Sequence, residues 1–192
     1  MRLISVCPNS YVFEEPHRKV QGKNRLTIAC HGGSVRMPGT IRINDQRYNP
    51  SQLAELINKW TSIPDLYNVR LVSCYSANPS SEGYRQWERT KPSDPLQHLW
   101  STSFASQLST FLPSIFVRAY SGRIASTCRN GAIFSVHNKK GRDYVGKVLR
   151  QKFKIVKSND NYHYHCIVFL NGQVVKQTTD GRDFKWLYGE SW

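Results

Sequence analysis

Two apolar runs each stop on a chemically active side chain. Arg25-Leu26-Thr27-Ile28-Ala29-Cys30 runs into His31, and Asn68-Val69-Arg70-Leu71-Val72-Ser73 runs into Cys74. Runs this short, rich in β-branched and aliphatic residues, read as buried strands rather than helices. His31-Gly32-Gly33 breaks the first with a sharp turn. Between the runs, Asn49-Pro50-Ser51 opens a helix that Ser51 can cap, with Leu53, Ile57 and Trp60 on one face. Leu99, Phe104, Leu108 and Phe111 give helical spacing over residues 96–112, and a third apolar run, 114–120, closes at Ser121-Gly122. Strand, helix, strand, helix, strand in that order predicts an α/β fold: a mostly parallel central sheet with helices on both faces.

The remaining segments are organised around that core. Residues 2–7 read as a short strand, 9–24 as a polar loop, and Ile41-Arg42-Ile43 as one arm of a small hairpin. Residues 75–95, with Pro79, Pro92 and Pro95, read as a surface loop. From residue 131 the texture changes. Segments 133–136, 152–156, 162–170 and 173–178 predict short strands, and Asn171-Gly172 is a strong hairpin signal. The expectation is one domain over 1–192, with an α/β core at 1–130 and a β-rich, basic antiparallel extension at 131–192. With 39% hydrophobic residues the chain can bury a core, which excludes global disorder. No apolar run approaches the ~20 residues of a membrane span.

Charge narrows the partners. Lys and Arg number 27 against 13 Asp and Glu, a net of +14, which suits a polyanion: nucleic acid, an acidic membrane surface or a phosphorylated small molecule. Much of the excess lies in 137–157, where Lys139, Lys140, Arg142, Lys147, Arg150, Lys152, Lys154 and Lys157 face a single acid, Asp143. Such a run is either a solvated face or a phosphate-binding patch. The five cysteines form no C-x-x-C pair, and three of them (Cys30, Cys74 and Cys166) lie in or at the end of apolar runs. They read as reduced thiols in a reducing, cytoplasmic-type compartment. The apolar N-terminal stretch is too short for a secretory signal, so any release would take a signal-free route. In Tyr162-His163-Tyr164-His165-Cys166 two histidines share a strand face, but four ligands are not in sight and no metal site is assigned. Trp186, Tyr188 and Trp192 can stack on bases, although such aromatics more often close a core.

Sites in open α/β sheets gather beyond the C-terminal ends of the strands, where His31 and Cys74 stand. A thiolate is a strong nucleophile, and an imidazole beside it can take its proton or protonate a leaving group. The Gly32-Gly33 turn lets the backbone fold closely, so an N–H can face a developing oxyanion. The pieces 26–32, 69–74 and 116–122 in this order resemble the caspase-hemoglobinase clan of cysteine peptidases, and most of all the self-cleaving cysteine protease domains of large bacterial toxins. The resemblance covers about residues 25–136. It implies Cys74 as nucleophile, His31 as general acid/base, and the N–H groups of Gly32 and Cys74 as the oxyanion hole, with no metal or organic cofactor in the chemistry. It further implies substrate contacts from Val72, Ser121, Gly122 and Arg123 and a protein substrate, with the function of an effector or toxin protease inside a host cell. Val72 stands where caspases carry a polar residue, which implies cleavage after an apolar residue such as Leu rather than Asp, although Arg118 or Arg123 offers a positive charge nearby. The toxin domains are activated by inositol hexakisphosphate in a basic cleft, which would place a polyanion on Lys152, Lys154 and Lys157. The alternative is a basic α/β binding protein for nucleic acid or phosphoinositide, in which His31 and Cys74 are structural.

Overall fold

A computed structural model describes residues 1–33, 40–80, 89, 100–157, 165–179 and 183–186. The chain opens on an antiparallel pair, β1 (Arg2–Cys7) and β2 (Ser10–Pro16), followed by β3 (Asn24–Ala29). A small side sheet of β4 (His31–Gly32), β5 (Ile41–Ile43) and β6 (Gln46–Tyr48) leads into α1 (Pro50–Trp60). A single 3-10 turn then enters β7 (Leu66–Val72). Next come α2 (Phe104–Thr110), β8 (Phe116–Tyr120), β9 (Ile124–Ser126) and α3 (Asn130–Lys152). The chain ends in β10 (Ile155–Lys157), β11 (His165–Leu170), β12 (Gln173–Thr179) and β13 (Asp183–Trp186).

The large sheet has the order β1-β2-β3-β7-β8-β11-β12-β13. Its centre, β3-β7-β8, is parallel as expected, but every other pairing in it is antiparallel. The sheet is therefore mostly antiparallel, and the expectation of a mostly parallel one is corrected. The main reason lies in residues 10–16. Their charges suggest a loop, yet Tyr11, Val12 and Phe13 are fully buried and form an added strand. The acids there are absorbed by partners: Glu14 accepts from Arg2 at 2.8 Å and from Thr61 Oγ1, and Glu15 pairs with Arg70 at 3.1 Å.

Side chains alternate across a strand, and here they feed two apolar clusters. Val12, Leu26, Ile28, Leu71 and Val117 pack with Leu53 and Ile57 of α1 and Phe104 and Leu108 of α2. Tyr11, Phe13, Ala29, Val72 and Tyr120 pack with Ile133, Val145 and Leu149 of α3. Segment 133–136, expected as a strand, is thus helical. Its β-branched residues favour a strand locally, but burial of Ile133, and of Val145 and Leu149 one turn apart, outweighs that preference. Gly141 (φ 76°) interrupts α3 and hides the helical period from inspection. The hairpin at Asn171-Gly172 forms as expected, both residues having positive φ. It does not stand apart as an extension: β11 pairs with β8 inside the main sheet.

No helix among the described residues is long and apolar enough to cross a membrane. His163, Tyr164, Tyr188 and Trp192 lie outside the described residues, and Trp186 ends β13. The start of α1 is closed by Asn49, not Ser51. The Asn49 side chain accepts from the Gln52 N–H at 2.9 Å, and the Gln52 side chain accepts from the Asn49 N–H at 3.0 Å. Asn49→Ala is expected to cost about 1 kcal/mol in chemical denaturation. Ser51→Ala, losing only a hydroxyl that donates to Asn49, is expected to stay within about 0.5 kcal/mol.

Candidate active site

β3 and β7 run parallel in register from Arg25–Asn68 to Ala29–Val72, so their C-terminal ends emerge side by side. The Cys30 N–H still donates to the Val72 carbonyl at 3.2 Å. Two residues further, the two chains press together at Gly32. A Cβ built there would overlap the Cys74 carbonyl oxygen and stand 2.7 Å from Ser73 Oγ. No other residue type fits that approach.

The segment after Cys74 is tied to the end of β8. Tyr75 takes a left-handed backbone (φ 58°), a conformation that a bulky residue keeps only when its surroundings enforce it. The Tyr75 N–H donates to Gly122 O at 2.8 Å, and the Asn78 N–H donates to Tyr75 O at 3.1 Å. The Gly122 N–H donates to Asn78 Oδ1 at 2.8 Å, and Arg123 Nε donates to the Tyr75 hydroxyl at 3.3 Å. Ser76 Oγ bridges the Ser73 carbonyl and the Tyr120 N–H. The turn that aims Cys74 is thus held from below, at no cost to its exposed face.

His31 and Cys74 line one cavity of 410 Å³. Its apolar wall is Ala29, Val72 and Ile124, and Ala125, Ser126 and Arg129 extend the rim. The structure therefore gathers three of the sequence candidates, His31, Cys74 and Val72. Ser121 is buried, while Gly122 and Arg123 serve the Tyr75 turn. The cavity's next wall is β9, Ile124–Ser126, which holds none of the sequence candidates. Arg118 is remote from this cavity and lines a second one with Arg25 and Lys176. Lys152 and Lys154 are exposed at and just beyond the end of α3, and Lys157 ends β10 opposite Ile124.

No hydrogen bond joins His31 to Cys74 among the described residues. The Cys74 thiol donates instead to Ile124 O at 3.4 Å. No backbone acceptor takes the Cys74 N–H among the described residues. Cys30 lines the same cavity but is buried, and so differs from Cys74. Burial pushes its thiol up to about 12, with Ser73 opposing the shift and Cys74 adding to it. It is held as a neutral thiol at neutral pH. All five cysteines are free, and Cys128 and Cys166 are buried. The described residues contain no group of three or more metal-ligating side chains.

Comparison with known protein families, with curated proteins and with solved structures gave no match. The cavity must therefore be read from its own chemistry.

The Gly32 contact has a measurable consequence. Gly32→Ala is expected to cost about 2 kcal/mol by overpacking, a drop in Tm of roughly 4–8 °C for a chain of this size. Gly146→Ala, where an added Cβ meets nothing within 4 Å, is expected to leave Tm unchanged or slightly raised.

Proposed function

We propose that the chain is a cysteine peptidase in which Cys74 attacks and His31 moves the proton. One observation carries this reading. A cysteine and a histidine that follow neighbouring parallel strands open onto one cavity, with a glycine turn pressed against the cysteine's backbone. A structural thiol needs neither an accessible cavity nor an imidazole on its wall.

In the proposed reaction Cys74 Sγ adds to a scissile carbonyl, releasing its proton to His31. The Cys74 N–H, left without a backbone acceptor among the described residues, and the Gly32 N–H face the oxyanion. His31 then protonates the leaving amine as the C–N bond breaks. Water hydrolyses the acyl-enzyme and returns the thiol. Contact of Cys74 with the Ile124 carbonyl is the resting state that a substrate displaces. The caspase-like arrangement, with an extended substrate laid along the cavity beside β9, belongs to this proposal. So does the narrower reading of an effector or toxin protease.

Ala29, Val72 and Ile124 favour an apolar residue such as Leu before the cut. Arg129 stands at the rim but is exposed, so water already solvates its charge.

A positional peptide library incubated with the purified chain tests the reading. Cleavage after Leu-like residues is expected, abolished by Cys74→Ala and by His31→Ala, with the double variant little worse than either alone. Full cleavage by Cys74→Ala would end the peptidase reading. A strong preference for Asp would keep the dyad and assign the pocket to Arg129.

A further inference from the structure

β1 stands at one end of the large sheet and, among the described residues, has a strand partner on one side only, β2. Such an edge accepts a further strand unless something covers it. Here the covering group is Arg142 of α3. Its guanidinium donates to Leu3 O at 2.5 Å and to Ile4 O at 2.9 Å, where the β1–β2 register shifts between Leu3 and Ser5. Strand addition is blocked at those carbonyls, and between β1 and α3 there remains a groove of 480 Å³. Val145 and Leu149 of α3 are buried against the sheet. Asp143, Gly146, Lys147 and Arg150, spaced by three and four residues, share the adjoining face and line the groove. Met1 and Leu3 give it apolar surface. Arg2 also lines it but is paired with Glu14 at 2.8 Å. The other charges are not spent. Arg142 bonds only neutral carbonyls, and Lys147, Arg150 and Asp143 have no hydrogen bond or ion pair among the described residues. Three cations against one carboxylate make the groove positive. Gly146, where an added Cβ meets nothing within 4 Å, leaves it open.

We propose that this groove docks an acidic polypeptide segment of a partner protein, its carboxylates on Arg142, Lys147 and Arg150 and one apolar side chain over Leu3 and Gly146. Charge complementarity selects the partner's sign. The mixture of surfaces selects its class. A nucleic-acid strand presents an unbroken line of phosphates and gains affinity by stacking on aromatic side chains. No aromatic residue lines the groove, and Asp143 stands among the cations. A small inorganic anion would satisfy a cation and leave the apolar surface of Met1 and Leu3 uncovered. A peptide answers all three features: carboxylates meet the cations, an apolar side chain covers Leu3, and the neutral backbone passes Asp143. None of the groove residues lines the Cys74 cavity, so the inference does not rest on the peptidase reading.

The probe is the blocked peptide Glu-Glu-Leu-Glu-Glu, titrated calorimetrically in low salt into the full chain and into its Cys74→Ala form, in which turnover of the peptide plays no part. Saturable binding of one peptide per chain is expected, equal in the two forms. Gly146→Leu keeps every charge and fills the groove. It is expected to weaken binding about tenfold or more while leaving Tm unchanged or raised, because the position is open and glycine is a poor helix former. Lys147→Ala with Arg150→Ala is expected to weaken binding about tenfold, and Asp143→Asn to tighten it about twofold or more by removing a like charge. Lys139→Ala with Lys154→Ala, an equal loss of charge at exposed positions outside the groove, is expected to leave it within about twofold. No saturable binding, or full binding by Gly146→Leu, would overturn the proposal. Equal weakening by the Lys139 and Lys154 pair would also overturn it, reducing the effect to diffuse attraction by a chain of net charge +14. So would a single-stranded oligonucleotide, or the peptide Gln-Gln-Leu-Gln-Gln, that binds as tightly. Binding lost in Cys74→Ala would place the peptide in the other cavity and end the proposal, while leaving the peptidase reading intact.

Discussion

The parallel pairing of β3 with β7 sets the position of everything that can react. Parallel neighbours need a crossover, and the chain supplies it through the β4–β6 hairpin sheet and α1, whose Leu53 and Ile57 anchor it to the apolar cluster of Leu26, Ile28 and Leu71. With the crossover in place, the ends at Ala29 and Val72 are opposite one another. Cys30 continues the pairing by one hydrogen bond before the chains part. His31 and Cys74 then have no freedom to separate, because Gly32 is packed against the Cys74 carbonyl. The Tyr75 turn is secured by a different neighbour, β8 and the residues after it. Three parallel strands thus each contribute to one cavity: an imidazole after β3, a thiol after β7, and, from the end of β8, the support of the turn that follows the thiol.

One sheet face carries two chemistries because its strands change character along their length. Along this face β7 carries polar Asn68, then Arg70, and ends in Val72. Arg70 is the divider. It is buried, donates to Thr27 Oγ1 at 2.8 Å and to Glu15 at 3.1 Å, and lies 4.9 Å from the centre of the Phe153 ring. Those contacts satisfy a buried cation that would otherwise be costly. Beyond it on one side is an apolar cavity with a thiol, and on the other a cationic cavity.

The reactive strand ends were legible in the sequence because each is a local event: an apolar run, then a turn or a reactive side chain. The α1 segment and the Asn171-Gly172 hairpin were legible for the same reason. What escaped inspection depends on partners distant in sequence. β2 looks polar until Arg2, Thr61 and Arg70 are seen to satisfy Glu14 and Glu15. α3 looks like strands because Gly141 breaks its period and because its charges outnumber its three buried residues, Ile133, Val145 and Leu149. β9 carries too short a pattern to be recognised, so the sequence does not announce that Ile124, Ala125 and Ser126 share a cavity with Cys74, His31 and Val72. The Tyr11 hydroxyl, bonded to Ser126 and the Cys128 carbonyl, fixes that wall from across the sheet, and no local signal announces such a contact.

The most direct measurement of the central claim is covalent labelling with a peptidyl electrophile carrying Leu next to its warhead, followed by mass-spectrometric mapping of the modified cysteine. The account requires modification at Cys74, strongly slowed by His31→Ala. It also requires Cys30 to stay unmodified, because burial keeps its thiol protonated. Labelling that falls on the half-buried Cys7, or labelling of Cys74 at the same rate without the imidazole, would contradict it.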